Sequence, residues 1–132
     1  MERAQNFQVC NPAKAKDGDY IIYTVLGIDR LGSFEIERRY NDFYILRELF
    51  VDRWPGCYIP PIPEKQSFGN TKNQFIEDRC FLLNMFLRQL ARCPYLCESE
   101  EFYVFVRPTQ SNIQRELMLI PRLSPENHLN RI

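Results

Sequence analysis

The chain has 132 residues, which is the usual size of one domain. Hydrophobic residues make up 45% and charged residues 26%, a balance that argues against a disordered chain, and no stretch approaches the roughly 18 apolar residues that a membrane span needs. Lys and Arg together number 17, as do Asp and Glu, so the zero net charge disfavours a broad surface for nucleic acid. Any bound anion must therefore be met by a local cluster of basic side chains.

The five cysteines and the single histidine predict no metal or cofactor chemistry. An odd number of cysteines cannot all pair within one chain, and the first residues lack the apolar core of a secretory signal, so we expect free thiols in a reducing cytosol. Cys93 and Cys97 are close, but no second cysteine pair completes a four-ligand set. His128 lies near the C-terminus, away from that pair. We predict neither a metal nor a cofactor.

The first 40 residues have the side-chain pattern of β-strands. Residues 6–10 alternate apolar and polar side chains, 20–26 are rich in β-branched and aromatic residues, and 33–40 alternate with a period of two. Residues 29–32 supply the turn before the third strand. The pattern predicts a three-stranded antiparallel sheet whose apolar face is covered by the rest of the chain.

Helices are predicted after the strands. Asn41 or Asp42 can cap the first helix, Thr71 and Gln74 form a capping box for the longest, and Ser99 caps a short one. In the first helix, four apolar side chains keep helical spacing: Phe43, Leu46, Leu49 and Phe50.

A proline-rich segment, residues 58–63, separates the first two helices. Prolines donate no backbone hydrogen bond, so this segment can be neither helix nor central strand and is expected to adopt polyproline II conformation. The predicted fold class is therefore α+β, with a three-stranded antiparallel sheet packed against a helical subdomain.

Arg79 is unusual because it lies on the apolar stripe of the longest helix. It follows Ile76 by three residues and precedes Leu83 by four. A charged side chain costs free energy there unless something pairs with it. One explanation is an internal salt bridge, or a side chain that extends past the edge of the core. The alternative is that Arg79 lines a pocket for an anion or a polyhydroxylated ligand.

A second basic group lies at the end of the third strand. Arg38 and Arg39 alternate faces, so only one of them can point towards the apolar side of the sheet. Tyr40 follows at once. A guanidinium suits bidentate contact with phosphate, and a tyrosine ring suits stacking under a sugar or inositol ring. Alone, this run is weak evidence, and so is Lys65 after the prolines.

Together these motifs resemble the phox-homology (PX) domain, and its sorting-nexin branch most closely. The motifs are, in order, the three strands, RRYNDF at 38–43, PPIPEK at 60–65, and FIEDR at 75–79 running into further apolar residues. The resemblance covers about residues 6–107, which we expect to form a phosphoinositide-binding domain. Residues 108–132 are expected to be a C-terminal extension or linker.

The resemblance implies binding of a phosphoinositide, typically phosphatidylinositol 3-phosphate, on the cytosolic face of endosomes, where the domain recruits its parent protein for sorting and trafficking. By this resemblance, Arg39 is expected to bind the 3-phosphate and Tyr40 to lie beneath the inositol ring. Lys65 is expected to bind the 1-phosphate, and Arg79 to hydrogen-bond the 4- and 5-hydroxyls. Phe68 is expected to contact the membrane.

Two other functions compete with this interpretation. No enzyme is predicted, because the five glycines include no phosphate-binding loop and no Cys–His pair can be assembled. A protein-interaction module could instead present Pro60–Pro63 to an SH3-like domain, or use the C-terminal extension. We favour the interpretation in which these prolines shape the rim of the pocket. Protein partners of the parent protein stay open.

Overall fold

The computed structural model describes residues 6–65 and 72–121. Its strands β1 (Asn6–Lys14), β2 (Ile21–Asp29) and β3 (Gly32–Arg39) form one antiparallel sheet in the order β1-β2-β3. The helices in the described ranges are α1 (Tyr40–Arg53), α2 (Lys72–Leu90), α3 (Pro94–Cys97), α4 (Glu100–Val106) and α5 (Ile113–Met118). The predicted α+β class is confirmed.

The first strand is longer than the sequence predicted. We expected it to end at Cys10, yet β1 pairs with β2 as far as Lys14 after a register shift between Cys10 and Ala13. Asn11 has a φ of 52° at this irregularity, a left-handed conformation that asparagine tolerates. Pro12 follows, and a bulge is one of the few places in a sheet where proline fits. The loop between β1 and β2 therefore shortens to the residues around Asp17.

A tight turn joins β2 to β3, as predicted. Asp29 pairs with Gly32, and the Asp29 side chain accepts a hydrogen bond from the Leu31 amide at 2.9 Å. Gly32 has a φ of 119°, where a side chain would be strained. Arg107, just after α4, reaches back to the Asp29 carboxylate with two bonds of 2.7 and 2.8 Å. The far end of the sheet is thus fixed to the helical layer.

The hydrophobic core lies between one face of the sheet and the helices. The sheet contributes Phe7, Val9, Tyr23 and Val25. All four side chains predicted for α1 are buried, and α2 contributes Leu83, Phe86, Leu87 and Leu90. Polar contacts set the rotation of α2: the Val9 amide donates to Asn84 Oδ1 at 2.8 Å, and Cys80 Sγ lies 3.8 Å from the Val9 carbonyl oxygen. This rotation decides where Arg79 points.

The start of α1 differs from the prediction. Neither Asn41 nor Asp42 is the N-cap, because the helix begins at Tyr40 and Arg39 occupies the cap position. Asp42 is the third helical residue, and its Oδ2 accepts a hydrogen bond from the Arg39 amide at 2.8 Å. A carboxylate at this position can satisfy the exposed amide before the helix from inside its first turn. The capping contact therefore also fixes the backbone of Arg39.

The later helix starts are partly confirmed. Ser99 caps α4 by accepting a hydrogen bond from the Phe102 amide, as predicted. Thr71, one half of the capping box predicted for α2, lies outside the described residues. Its expected partner Gln74 donates to Asp78 at 2.7 Å.

The described part of the predicted C-terminal extension is packed against the rest of the domain. Helix α5 lies on α1 and α4, and Leu117 and Ile120 are buried in the common core. Arg53 Nη1 donates to the carbonyl of Pro121. Leu117 and Ile120 thus contribute to the common core. The boundary at residue 107 stays a prediction.

Candidate ligand-binding site

Three of the predicted site residues meet at the start of α1. The guanidinium carbon of Arg79 lies 3.9 Å from the centroid of the Tyr40 ring. Arg79 Nη2 donates to the carbonyl oxygens of Lys65 at 2.6 Å and Glu64 at 3.0 Å. The Tyr40 hydroxyl donates to the Pro63 carbonyl at 2.5 Å. Helix α1, the end of the proline segment and the N-terminal half of α2 therefore converge on one place, which we call the Tyr40–Arg79 site.

Arg79 is held by aromatic rings and backbone carbonyls. Its guanidinium carbon also lies 4.3 Å from the Phe75 ring, and within the described ranges no carboxylate forms an ion pair with it. Burial lowers the pKa of the guanidinium, which nevertheless stays charged at neutral pH. Its Nε is the one buried side-chain nitrogen or oxygen that lacks a hydrogen-bond partner among the described residues. Of the explanations offered by the sequence, these contacts do not show the internal salt bridge, whereas the side chain that extends past the core and the ligand pocket both stay predictions.

Lys65 lies beside the Tyr40–Arg79 site. Its ammonium nitrogen is 3.9 Å from the centroid of the Tyr44 ring, one helical turn after Tyr40, and the two tyrosine rings are 6.5 Å apart. The Lys65 side chain is exposed. A surface cation–π contact of this kind is weak, about 0.5–1 kcal/mol, so the ammonium group can leave the ring for a stronger partner.

The adjacent arginines of β3 point to opposite faces, as the alternation predicted. Arg38 is buried on the core side, where its Nε and Nη2 donate to the Phe105 carbonyl at 3.0 and 2.7 Å. Burial lowers the pKa of the Arg38 guanidinium. Arg39 is exposed, and its guanidinium carbon lies 4.8 Å from the centroid of the Tyr20 ring. Arg38 is therefore a structural residue, and Arg39 is the one available to a ligand.

The Arg39 side chain lines an open cavity of about 660 Å³. Arg39 directly precedes Tyr40 in the chain, but neither Tyr40 nor Arg79 is among the residues that line this cavity. Tyr20, Asp42 and the first residues of α5 also line this cavity. The described contacts join Arg39 to Tyr20 and do not join it to Arg79. Phe68, the predicted membrane contact, lies outside the described residues.

Sequence reasoning missed three aromatic residues that hold the predicted cations. Phe75 is four residues before Arg79, and Tyr44 four after Tyr40, so helical spacing could have indicated both. Tyr20 gives no such local signal. Its contact with Arg39 depends on the register between β2 and β3, which the sequence alone does not fix.

The sequence matches a known protein family. The model of the PX domain matches residues 27–109, more than half of the chain. The chain belongs to the PX domain family. This confirms the predicted family. Sorting nexins are among the relatives, as the resemblance implied, and so are Vps5 proteins. Sorting-nexin PX domains are in general non-enzymatic lipid-binding modules.

Three curated relatives illustrate the similarity of this PX domain. Vacuolar protein sorting-associated protein vps5 of Schizosaccharomyces pombe is 44% identical over 71 residues, covering 54% of this chain and 12% of that protein. Sorting nexin-4 of Cryptococcus neoformans is 32% identical over 138 residues, and the alignment covers 95% of this chain and 28% of that protein. Sorting nexin 1 of Arabidopsis thaliana is 31% identical over 116 residues, and the alignment covers 81% of this chain and 29% of that protein. The chain therefore spans less than a third of the length of each of these relatives.

A solved structure supports the fold of this PX domain. The X-ray structure of a designed CISK-PX domain aligns with a TM-score of 0.67 and 22% identity, covering 77% of this chain and 98% of that one. Within the described part of the chain, no helix has the length and apolar character needed to cross a bilayer. The Schizosaccharomyces pombe relative is named for vacuolar protein sorting.

Proposed function

We propose that this PX domain binds phosphatidylinositol 3-phosphate and attaches its parent protein to endosomal membranes for sorting and trafficking. The observation that carries the proposal is the unpartnered Nε of Arg79, in a guanidinium held against the Tyr40 ring. A buried donor without a partner costs about 1–3 kcal/mol. An inositol hydroxyl that accepts this hydrogen bond would remove the cost, which is the role the family resemblance assigns to Arg79.

The ring of Tyr40 can take part only with its remaining surface. Arg79 covers one face of the ring, and the hydroxyl is bound to the Pro63 carbonyl. An inositol ring that also contacts Arg79 must therefore approach the edge of the Tyr40 ring, because on the opposite face the tyrosine ring would separate it from the guanidinium. In this arrangement the inositol ring lies beside Tyr40 and Arg79 contacts its hydroxyls.

Arg39 and Lys65 are the proposed phosphate ligands. Both are exposed and each lies against a tyrosine ring, Tyr20 and Tyr44 respectively. A surface cation–π contact contributes about 0.5–1 kcal/mol, whereas a hydrogen bond to a charged group contributes about 1.5–3 kcal/mol. The 1-phosphate can therefore draw Lys65 from the Tyr44 ring, whereas the edge of the Arg39 guanidinium can bind the 3-phosphate while its face stays on the Tyr20 ring. This order of strengths favours a site in which Lys65 moves on binding and Arg39 keeps its place.

The contacts of the proline segment disfavour the alternative function, in which these prolines bind an SH3-like domain. The Pro60 carbonyl accepts a hydrogen bond from Arg47 Nε at 2.9 Å, and the Pro63 carbonyl accepts one from Tyr40. Pro60 is itself buried. A ligand of an SH3-like domain must present its prolines outward. These contacts support the interpretation in which the prolines shape the rim of the pocket.

A vesicle panel tests the proposal. Wild-type protein is mixed with phosphatidylcholine vesicles that carry one phosphoinositide each, with the total lipid charge matched by phosphatidylserine. We expect clear preference for vesicles with phosphatidylinositol 3-phosphate over those with the 4- or 5-phosphate. Equal binding to every vesicle of the same charge, or binding to none, contradicts the proposal.

A further inference from the structure

The loop between β1 and β2 holds the ring of Tyr20 in a fixed orientation. The Ala15 amide donates to the Tyr20 carbonyl at 2.9 Å, and Ala15 is buried, so the loop is closed at its base. The Tyr20 hydroxyl donates to Asp17 Oδ1 at 2.8 Å. A Cβ built on Gly18 would lie 2.5 Å from Cε1 of Tyr20, so the ring is folded down over this glycine. Several independent contacts therefore set the ring before any ligand arrives.

The register of the sheet brings Arg39 onto this ring. Ile22 pairs with Arg39, and Tyr20 precedes Ile22 by two residues, so Tyr20 and Arg39 are diagonal neighbours on one face. Diagonal pairs are within reach of aromatic and long side chains. The guanidinium carbon of Arg39 lies 4.8 Å from the ring centroid.

Three carboxylates near Arg39 could compete with a phosphate for its guanidinium. Asp17 and Glu37 line the same cavity as Arg39, and Asp42 does so while bonded to the Arg39 amide and to Gln114. The Tyr20 hydroxyl engages Asp17. An arginine neutralised by a neighbouring carboxylate binds a phosphate less well, because the phosphate must first displace that partner.

We infer that Tyr20 is a positioning residue for Arg39. Its ring supports the guanidinium and its hydroxyl donates a hydrogen bond to Asp17, so that Arg39 can bind the phosphate of a lipid head group. The inference rests on the proposed function. It assigns to the β1–β2 loop a part in head-group affinity that acts through Arg39 and needs no contact between Tyr20 and lipid.

The test compares Tyr20→Leu with Tyr20→Phe in the wild-type and Arg39→Gln backgrounds. Binding to phosphatidylcholine vesicles with phosphatidylinositol 3-phosphate should fall about two- to fivefold for Tyr20→Leu, the ratio expected from one exposed cation–π contact. Tyr20→Phe keeps the ring and should lose less. In the Arg39→Gln background, Tyr20→Leu should cause no further loss. Tyr103 is another exposed tyrosine, so Tyr103→Leu is the matched control and should bind like the wild type.

The outcomes separate this inference from the proposed function. If the wild type binds these vesicles but Tyr20→Leu binds equally or more tightly, or weakens the Arg39→Gln protein by the same factor, the inference is wrong and the proposed function stands. If the wild type binds no phosphoinositide vesicle, the proposed function itself fails. Should Tyr20→Leu not fold, Gly18→Ala replaces it, since the added methyl group must push the ring aside; wild-type affinity of that variant overturns the inference.

Discussion

Arg79 lies with its guanidinium carbon 3.9 Å from the ring centroid of Tyr40, and this contact joins the middle of α2 to the first residue of α1. No carboxylate of the described residues pairs with this arginine, and its buried Nε has no acceptor. A residue that serves only the fold would be expected to use its full set of donors. We therefore propose that the pair serves ligand binding as well as folding, and the two roles can be separated by substitution.

Arg79→Met should weaken head-group binding while leaving stability nearly unchanged. The substitution removes two hydrogen bonds to partly exposed carbonyls, but it also removes the unpartnered Nε and strands no carboxylate. We expect the free energy of unfolding to change by less than about 1 kcal/mol. Chemical denaturation and vesicle binding measure the two effects. A loss of stability above about 3 kcal/mol, the scale of a broken buried ion pair, would contradict the ligand role.

Arg39→Gln should abolish most of the binding without affecting the fold. The side chain is exposed, so the melting temperature should stay at the wild-type value. The 3-phosphate loses a charge-assisted pair, which we expect to cost roughly 2–4 kcal/mol of head-group affinity. Arg88→Gln removes the same charge from the exposed face of α2 and is the control. Near-wild-type affinity of Arg39→Gln would refute the assignment.

Arg38→Gln should have the opposite effect to its neighbour. Arg38 is buried and donates twice to the Phe105 carbonyl, which the substitution leaves without these donors. We expect a loss of about 1–3 kcal/mol in the free energy of unfolding, and near-wild-type head-group affinity for the folded fraction. Urea denaturation and a binding isotherm at low temperature test both parts. Wild-type stability with lost binding would show that the two arginines had been assigned the wrong way round.

Because of the contact between Asp29 and Arg107, the free energy of unfolding should decrease as the pH is lowered into the acid range. Burial alone would raise the pKa of Asp29, but hydrogen bonds from Arg107 hold it below its ordinary value. Because the folded-state pKa is the lower one, the stabilisation is complete above the ordinary Asp pKa of about 3.9 and is lost as the pH falls through the folded-state value. Asp29→Asn should cost about 1 kcal/mol at neutral pH. Its difference from the wild type should vanish in strong acid; a pH-independent difference would contradict the pairing.

The sheet, the core and much of the site could be predicted because their signals are local. Alternation in β3 separated Arg38 from Arg39, and helical spacing in α2 marked Arg79 as a charge on an apolar stripe. The start of α1 was predicted wrongly, because Asp42 reaches back to the Arg39 amide from inside the helix. The support of Arg39 by Tyr20 depends on strand register and could not be derived from spacing.

The most direct test of the central claim follows the Nε–H group of Arg79 by NMR during titration with soluble short-chain phosphatidylinositol 3-phosphate. The account predicts a saturable shift of this signal, with the dissociation constant that calorimetry gives for the same short-chain lipid. The matching short-chain lipid without the 3-phosphate should shift it only at far higher concentration. An Arg79 Nε–H signal that stays unchanged while the protein is saturated with ligand would contradict the account, because this buried donor without a partner would then lie outside the binding site.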